Sequence, residues 1–429
     1  MENIQIYIVI AVMVGMIIMF VTQKVSFGVT AMTAVAILAI TGVLSFSEAF
    51  SGLVNKNTIM VATVMVLGNA ISKTSLIRRL KDVMNRLKGK SGIGLMLALI
   101  GITILLCQVM GQAAVLTIIY VFIRNMDDDG ELSQSRMLYL IFVILCAWTG
   151  LFPVGMGAAR PMQANAYYEG MASADQMLGM FDLTKVSILP AIAMTVFSIL
   201  AWKLIPKMKL SHDQIQGTTK QAEEVKELSR PQEIIVLILF VAVIVGFLFN
   251  SQIGDISYLI PVAGVLILIF TKIMEREEAV HIMTSDMVWM IGGMLAMSTA
   301  LSTSGAGEAI GKLVLRLLGQ NPSGFTVVLV FAVAAVVMST FLSNHGTMAV
   351  LTPIAASTAL AGGMDPRAVV LVVNAAAWYA IAFPTGCAAG TMAYSISKFD
   401  PLKLLKFNIP YLIIGIITLT LSVCLFFPM

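Results

Sequence analysis

The chain has 429 residues, 59% of them hydrophobic and only 12% charged, and a mean hydropathy of +0.93. Soluble domains carry about a quarter charged residues, so this composition excludes them and indicates an all-α, polytopic integral membrane protein. The net charge of +4 is modest and its basic residues gather in particular loops, which speaks for membrane topology and against nucleic-acid binding.

Spanning helices need roughly 17 to 25 apolar residues. About ten such runs occur, and two further ones are broken. Residues 3–22 lack a basic n-region and a cleavage site, and further spans follow, so they read as a retained first helix and not as a signal peptide. Spans at 27–44 and 57–73 come next. In 74–90, Leu76, Ile77, Leu80, Val83, Met84 and Leu87 recur at helical spacing opposite Arg78, Arg79, Lys81, Arg86 and Lys88, the pattern of a helix lying flat on lipid headgroups. The apolar stretch 92–125 is interrupted by Gln108, Gly111 and Gln112 and is too short for two full spans with a loop. A re-entrant hairpin sheltered by protein fits it better. Asp127, Asp128 and Asp129 lack the other ligands of a calcium loop and read as a solvated turn. Residues 137–165 begin as a helix but run into Gly150, Pro153, Gly155, Gly157 and Pro161, which should unwind it partway across the bilayer. A span at 185–205 closes this half.

Residues 206–231 are charged and form a natural linker, after which the plan repeats. Spans are expected at 232–249, 256–272 and 287–303, then an amphipathic stretch at 305–320, a broken hairpin at 323–361, a broken helix at 367–398 and a last span at 408–427. Three local matches keep the same order at offsets of 230 to 235 residues: Ala70–Thr74 with Ala300–Ser304, Gly111–Ile119 with Gly346–Ile354, and Phe152–Gly155 with Phe383–Gly386. The domains are thus 1–205, a linker 206–231 and 232–429. The basic segment Lys73–Lys90 should be cytoplasmic, which places both termini outside the inner (cytoplasmic) membrane. Five spans per half, an odd number, make the two repeats inverted, with one hairpin opening from each face.

Polar groups in hydrocarbon are costly unless partnered, which directs attention to Met338–Ala361, where Ser343, Asn344, His345, Gly346 and Thr347 interrupt an apolar run. Helix ends meeting at such a cluster turn unpaired backbone groups toward one point and can hold an ion or a small charged molecule. Asn344 and Thr347 lie one turn apart, as do Gln108 and Gln112 in the first hairpin, and can serve one substrate or merely cap helices. Ser343 and Thr385, with the oxygens of neighbouring Asn344 and Gly386 and of Gln108 and Gly155 in the first half, would suit sodium. Arg160 either pairs with an anionic substrate through its planar fork or snorkels to a surface. His345 is a candidate proton site or a satisfied hydrogen-bonder. Trp148 and Trp378 flank the breaks as lining or packing. The four cysteines sit at unrelated spacings in apolar segments and indicate neither a disulfide framework nor a zinc site, and the 30 methionines read as core filler or lipid-facing groups.

Ser343-Asn344-His345-Gly346-Thr347, followed by Val350-Leu351-Thr352-Pro353-Ile354, resembles the Ser-Asn-Thr hairpin motif of the divalent anion/sodium symporters, within the ion-transporter superfamily. Phe383-Pro384-Thr385-Gly386 is similar to that family's Pro-x-Gly turn, which implies substrate contact at Pro384 and Thr385. The resemblance implies inverted repeats, a homodimer, sodium-coupled movement of di- or tricarboxylates or sulfate, no cofactor beyond the coupling ion, and an elevator-type mechanism. The chain departs from the pattern at Gln108-Val109-Met110-Gly111-Gln112, where a first Ser-Asn-Thr would stand, at His345, and at Cys387-Ala388-Ala389. Carriage of another substrate, such as arsenite, or sodium/proton exchange is the alternative. The latter sits poorly with hairpins and broken helices that contain no Asp or Glu. A channel would be blocked by paired hairpins, and the absence of HExxH and GxSxG argues against an enzyme.

Overall fold

The computed structural model describes residues 2–75, 92–124, 131–208, 210, 228–319 and 322–429. Residues 76–90 of the amphipathic stretch, the acidic turn at 127–129 and most of the linker 206–231 lie outside the described residues. Within them every regular element is helical, and seven helices are long and apolar enough to cross a membrane.

The first half supplies α1 (Glu2–Thr22), α2 (Phe27–Ile40), α3 (Phe46–Phe50), α4 (Lys56–Ser72), α5 (Ile93–Leu106), α6 (Gln112–Ile123), α7 (Gln134–Trp148), α8 (Ala159–Ala166) and α9 (Asp182–Ala201). The second supplies α10 (Arg230–Leu248), α11 (Ile256–Phe270), α12 (Arg276–Met283), α13 (Asp286–Thr303), α14 (Ala306–Leu318), α15 (Gly324–Phe341), α16 (Asn344–Ala361), α17 (Pro366–Ala376), α18 (Ala388–Ser397) and α19 (Pro401–Phe426). The starts are signalled locally. Ser26, Asn55, Ser133 and Ser343 each accept a first-turn amide, satisfying an N–H that the helix leaves unpaired. Asp365 and Asp400 do the same ahead of Pro366 and Pro401, whose missing N–H costs nothing at that position.

Two expected spans come out short. α2 has 14 residues and α11 has 15, about 21 to 23 Å of helix at 1.5 Å per residue, against a hydrocarbon core of about 30 Å. The run at 27–44 is apolar throughout, but Thr41 closes the helix and Gly42 turns the chain with a φ of +72°. Conversely, the last span begins at Pro401, seven residues before its expected start at 408.

The halves interlock. α2 lies along α13 while α4 packs on α11, and α9 packs on α19. α2 and α11 are the short apolar helices of the first two pairings, and α4 and α13 each follow a short helix. The α2–α13 crossing is backbone to backbone. A Cβ on Gly28 would stand 2.6 Å from the Asp286 carbonyl oxygen and one on Gly293 2.9 Å from the Ala31 carbonyl carbon, and beside the crossing one on Gly52, which follows α3, would stand only 2.0 Å from the Gly292 oxygen. Gly28 N also donates to Asp286 Oδ1 at 2.9 Å, so the start of one helix is capped from the start of the other. The rest of the chain includes two helix pairs, α5–α6 and α15–α16, and two interrupted helices, α7–α8 and α17–α18.

Candidate functional site

Four backbone interruptions determine the centre of the molecule. The tips at 107–111 and 342–343 separate the helices of each pair, and segments 149–158, ending in a 3-10 turn at Gly155–Ala158, and 377–387 separate the halves of each interrupted helix. Interruption frees carbonyls and amides that must find partners in a low-dielectric interior, and the polar side chains of the region are disposed accordingly.

Gln108 is consumed in this way. Its Nε2 donates to Ile104 O and Trp148 O, each at 2.9 Å, and its Oε1 accepts from Phe152 N at 3.2 Å, so it clasps the first tip to the first break. In the second half Thr385 performs the corresponding task, donating from Oγ1 to Thr340 O at 2.7 Å. Glycine makes both contacts possible. A Cβ on Gly155, which has a φ of +55°, would stand 3.2 Å from Gln108 O, and one on Gly386 2.5 Å from Ser339 O. The matching Phe-Pro-x-Gly segments thus do matching work, pressing each break against the end of the first helix of its pair. Pro384 O accepts from Thr391 Oγ1 at 2.6 Å, which holds the second turn shut.

The second break has a further clamp that sequence reading missed. Tyr139 donates to Asn408 Oδ1 at 2.7 Å, and Tyr394 donates to Ile381 O at 2.8 Å and Ala382 O at 3.1 Å. Three helices, α7, α18 and α19, thereby serve two freed carbonyls. The available signal was a single buried Asn or Tyr within each apolar run.

At the first tip, Gln112 opens α6 and points toward Cys146 Sγ, 3.9 Å away. Cys146 in turn reaches Cys387, whose thiol accepts from Gly390 N and caps α18. The two thiols, 241 residues apart, share this contact without forming a disulfide.

The second tip is different. Ser343 caps α16, accepting from Gly346 N at 3.1 Å, which leaves Asn344 and Thr347 buried in its first turn. Neither Asn344 Oδ1 nor Thr347 Oγ1 has a hydrogen-bond partner, although buried polar atoms almost always do. His345 Nδ1 lies 3.2 Å from Gln163 Nε2 and its ring meets Trp378 edge to face. The unpartnered Gln163 Oε1 and Trp378 Nε1 belong to these same two neighbours of His345. Trp148 is instead satisfied, donating from Nε1 to Thr195 at 2.8 Å. The tip abuts the other half, where Phe27 at the start of α2 would be 3.0 Å from a Cβ on Gly346.

Arg160 is 7% exposed, which places it in the interior and away from either surface. Its NH1 donates to Thr149 O at 2.7 Å and Gly150 O at 3.4 Å, its NH2 to Asn374 O and Oδ1 at 2.8 and 2.9 Å, and its Nε to Asn374 Oδ1 at 3.2 Å. The guanidinium lies over the Trp378 ring, 4.7 Å from its centroid. It therefore braces one break against the other.

A cavity of about 350 Å³ lies beside the first tip, between Val109, Met110, Gly111 and Ala114 on one side and Met65, Gly68, Asn69 and Ser72 of α4 on the other. At its edge Asn69 donates to Glu278 Oε1 at 2.7 Å, and Lys73 pairs with Glu278 Oε2. Among the described residues no group of three or more His, Cys, Asp or Glu is placed to hold a metal ion.

Comparison with known proteins agrees with this architecture. The Arabidopsis thaliana chloroplastic dicarboxylate transporter 1 is 22% identical over 72% of this chain and 57% of its own length. The putative malate transporter YflS of Bacillus subtilis is 22% identical over 62% and 58% respectively, and the sodium-dependent dicarboxylate transporter SdcS of Staphylococcus saprophyticus 20% over 54% and 49%. The chain thus spans about half the length of these relatives. Two solved structures share the fold. Neisseria gonorrhoeae MtrF, presented as one of a class of antimetabolite efflux pumps, has a TM-score of 0.57 at 14% identity over 91% of this chain and 84% of its own. The Alcanivorax borkumensis YdaH transporter has a TM-score of 0.59 at 11% identity over 89% and 87%. Residues 17–377, the larger part of the sequence, match the family described as CitMHS, citrate transporter, and the chain belongs to that family.

Proposed function

We propose that this membrane transporter of the citrate and dicarboxylate type is a sodium-coupled secondary carrier that moves a small di- or tricarboxylate by an elevator motion. In this reading residues 1–205 and 232–429 are inverted repeats joined by a cytoplasmic linker at 206–231, and both termini lie outside the inner membrane. The two helix pairs are re-entrant hairpins, and a homodimer holds the α2–α13 seam still while the hairpins and broken helices travel.

The observation that carries the reading is the unpartnered state of Asn344 Oδ1 and Thr347 Oγ1 at a buried helix N-terminus. Leaving a buried acceptor unpaired costs about 1 to 3 kcal/mol, and a ligand bonded to both of these atoms, one turn apart, would offset that cost. The N-terminus of α16 favours anionic groups such as a substrate carboxylate, while the side-chain oxygens of Asn344, Thr347, Ser343 and Thr385 are the hard donors a sodium ion takes. The sodium dependence named for SdcS supports the choice of ion, and the missing intramembrane carboxylates argue against a proton relay. Gln112 and Pro384 border the substrate, and Gln108, Gly155 and Gly386 hold the breaks against the tips.

Purified protein in liposomes loaded with unlabelled succinate, citrate or sulfate, with and without a sodium gradient, would identify the cargo and the coupling. Asn344→Ala and Thr347→Ala should each reduce uptake to background without lowering the melting temperature, because the two oxygens removed have no hydrogen-bond partner in the fold. Normal uptake by both variants would remove this tip from the site.

A further inference from the structure

We infer that Arg160 is a built-in counter-ion: its guanidinium sits between two helix C-termini where a second mobile cation would otherwise be required, so that each transport cycle takes up sodium only at the α15–α16 tip. This rests on the sodium-coupled reading above and specifies its stoichiometry.

The charge balance of the interior supports it. Arg160 makes no ion pair among the described residues, and neither break nor either tip contains an Asp or Glu. A buried charge left uncompensated would be strongly destabilising. Its five N–H donors are instead fully engaged by carbonyl and amide oxygens, namely Thr149 O and Gly150 O at the C-terminus of α7 and Asn374 O and Oδ1 in the last turn of α17. These carbonyls are available because the helices stop. Thr149 N still bonds back to Leu145 O, but beyond it Gly150 N turns away to Cys107 O, and Trp378 N bonds to Ala375 O, leaving Asn374 O to the arginine. Each helix C-terminus carries roughly half a negative charge, and two of them balance one guanidinium. No N–H remains for a bidentate grip on a carboxylate, so Arg160 does not hold the cargo as a fork.

At the α15–α16 tip the same arginine is met only through the Trp378 ring, which touches both it and His345. Residues 338–361 and 377–397 contain no Lys or Arg, and there Asn344 Oδ1 and Thr347 Oγ1 remain unpartnered. The hydrogen bonds of one polar centre are thus complete and those of the other open.

The test is the sodium dependence of uptake and of thermal stability in wild type, Arg160→Gln and Arg160→Lys. A Hill coefficient cannot exceed the number of coupled sites. Wild type and Arg160→Lys should give values of about one, and Arg160→Gln, having lost its fixed charge, about two at higher sodium. The melting temperature of Arg160→Gln should rise with millimolar sodium or guanidinium by more than that of wild type. A wild-type coefficient of two overturns the inference, as does an Arg160→Gln variant with an unchanged coefficient or one that neither cation stabilises. Should Arg160→Gln fail to fold, the other two proteins decide, one sodium in both upholding the inference and two in either overturning it. Uptake indifferent to sodium would instead sink the proposed coupling, leaving the guanidinium shift of Arg160→Gln to judge the counter-ion.

Discussion

At the scale of single residues, the glycines of the breaks show how little latitude the centre allows. Gly386 approaches Ser339 O and Ala380 so closely that a methyl group would stand 2.5 and 2.6 Å from them. Gly386→Ala should therefore cost about 1 to 3 kcal/mol, read as a lowered melting temperature, and should depress uptake by separating Thr385 from Thr340. A substitution neutral in both measurements would show that the turn and the α15 end are not held together. The sequence exposed this position through the paired Phe-Pro-x-Gly segments, because a repeated glycine beside a proline has a backbone reason to be there. Arg160 was legible only as an anomaly. Composition shows that an arginine in such a run needs a partner, but the partner is Asn374, 214 residues away in an otherwise apolar helix, and helix-end carbonyls leave no mark in a sequence at all.

Among elements, the interrupted helices are rigid because their freed backbone groups are met by designated side chains. The clamp of Tyr139, Tyr394 and Asn408 fixes the second break from three helices. Tyr139→Phe leaves Asn408 Oδ1 without its donor and should destabilise by about 1 to 3 kcal/mol, visible as a fall in melting temperature in detergent with substrate selectivity retained. An unchanged melting temperature would mean that the break is held otherwise. Positions of the elements were largely readable from the sequence, since hydrophobic runs and Gly/Pro clusters report where helices exist and where they fail. Their exact extents were not. α2 stops at Thr41 although the apolar run continues, because a residue pair suited to a turn outweighs hydrophobicity there. α19 starts early because Asp400 and Pro401 make a strong helix start ahead of two lysines, Lys403 and Lys406, that mask it in hydropathy.

For the whole molecule, the contrast lies between the α2–α13 seam, where backbone touches backbone, and the looser boundary around the cavity between α4 and the first tip. If the hairpins travel against that seam, residues facing each other across the cavity must change separation. A variant carrying Asn69→Cys and Gly111→Cys, with the four native cysteines replaced, should lose uptake on treatment with a cleavable bifunctional thiol reagent and regain it when the linker is cut. Uptake that persists after complete cross-linking would exclude relative movement at this boundary. Family membership and the dicarboxylate relatives were anticipated by the Ser343–Thr347 cluster and the broken helices. The pairing of α2 with α13 was not, because it depends on glycines whose importance appears only when two helices meet.

Met65 and Met110 stand on opposite walls of that cavity. Unbranched thioethers re-form their contacts easily as neighbouring surfaces shift, which suits a sliding boundary, but the same sulfur atoms are open to peroxide. Conversion to sulfoxides would put polar, chiral groups on both walls, so if this boundary slides, the feature that would lubricate it is also where oxidative damage would seize it.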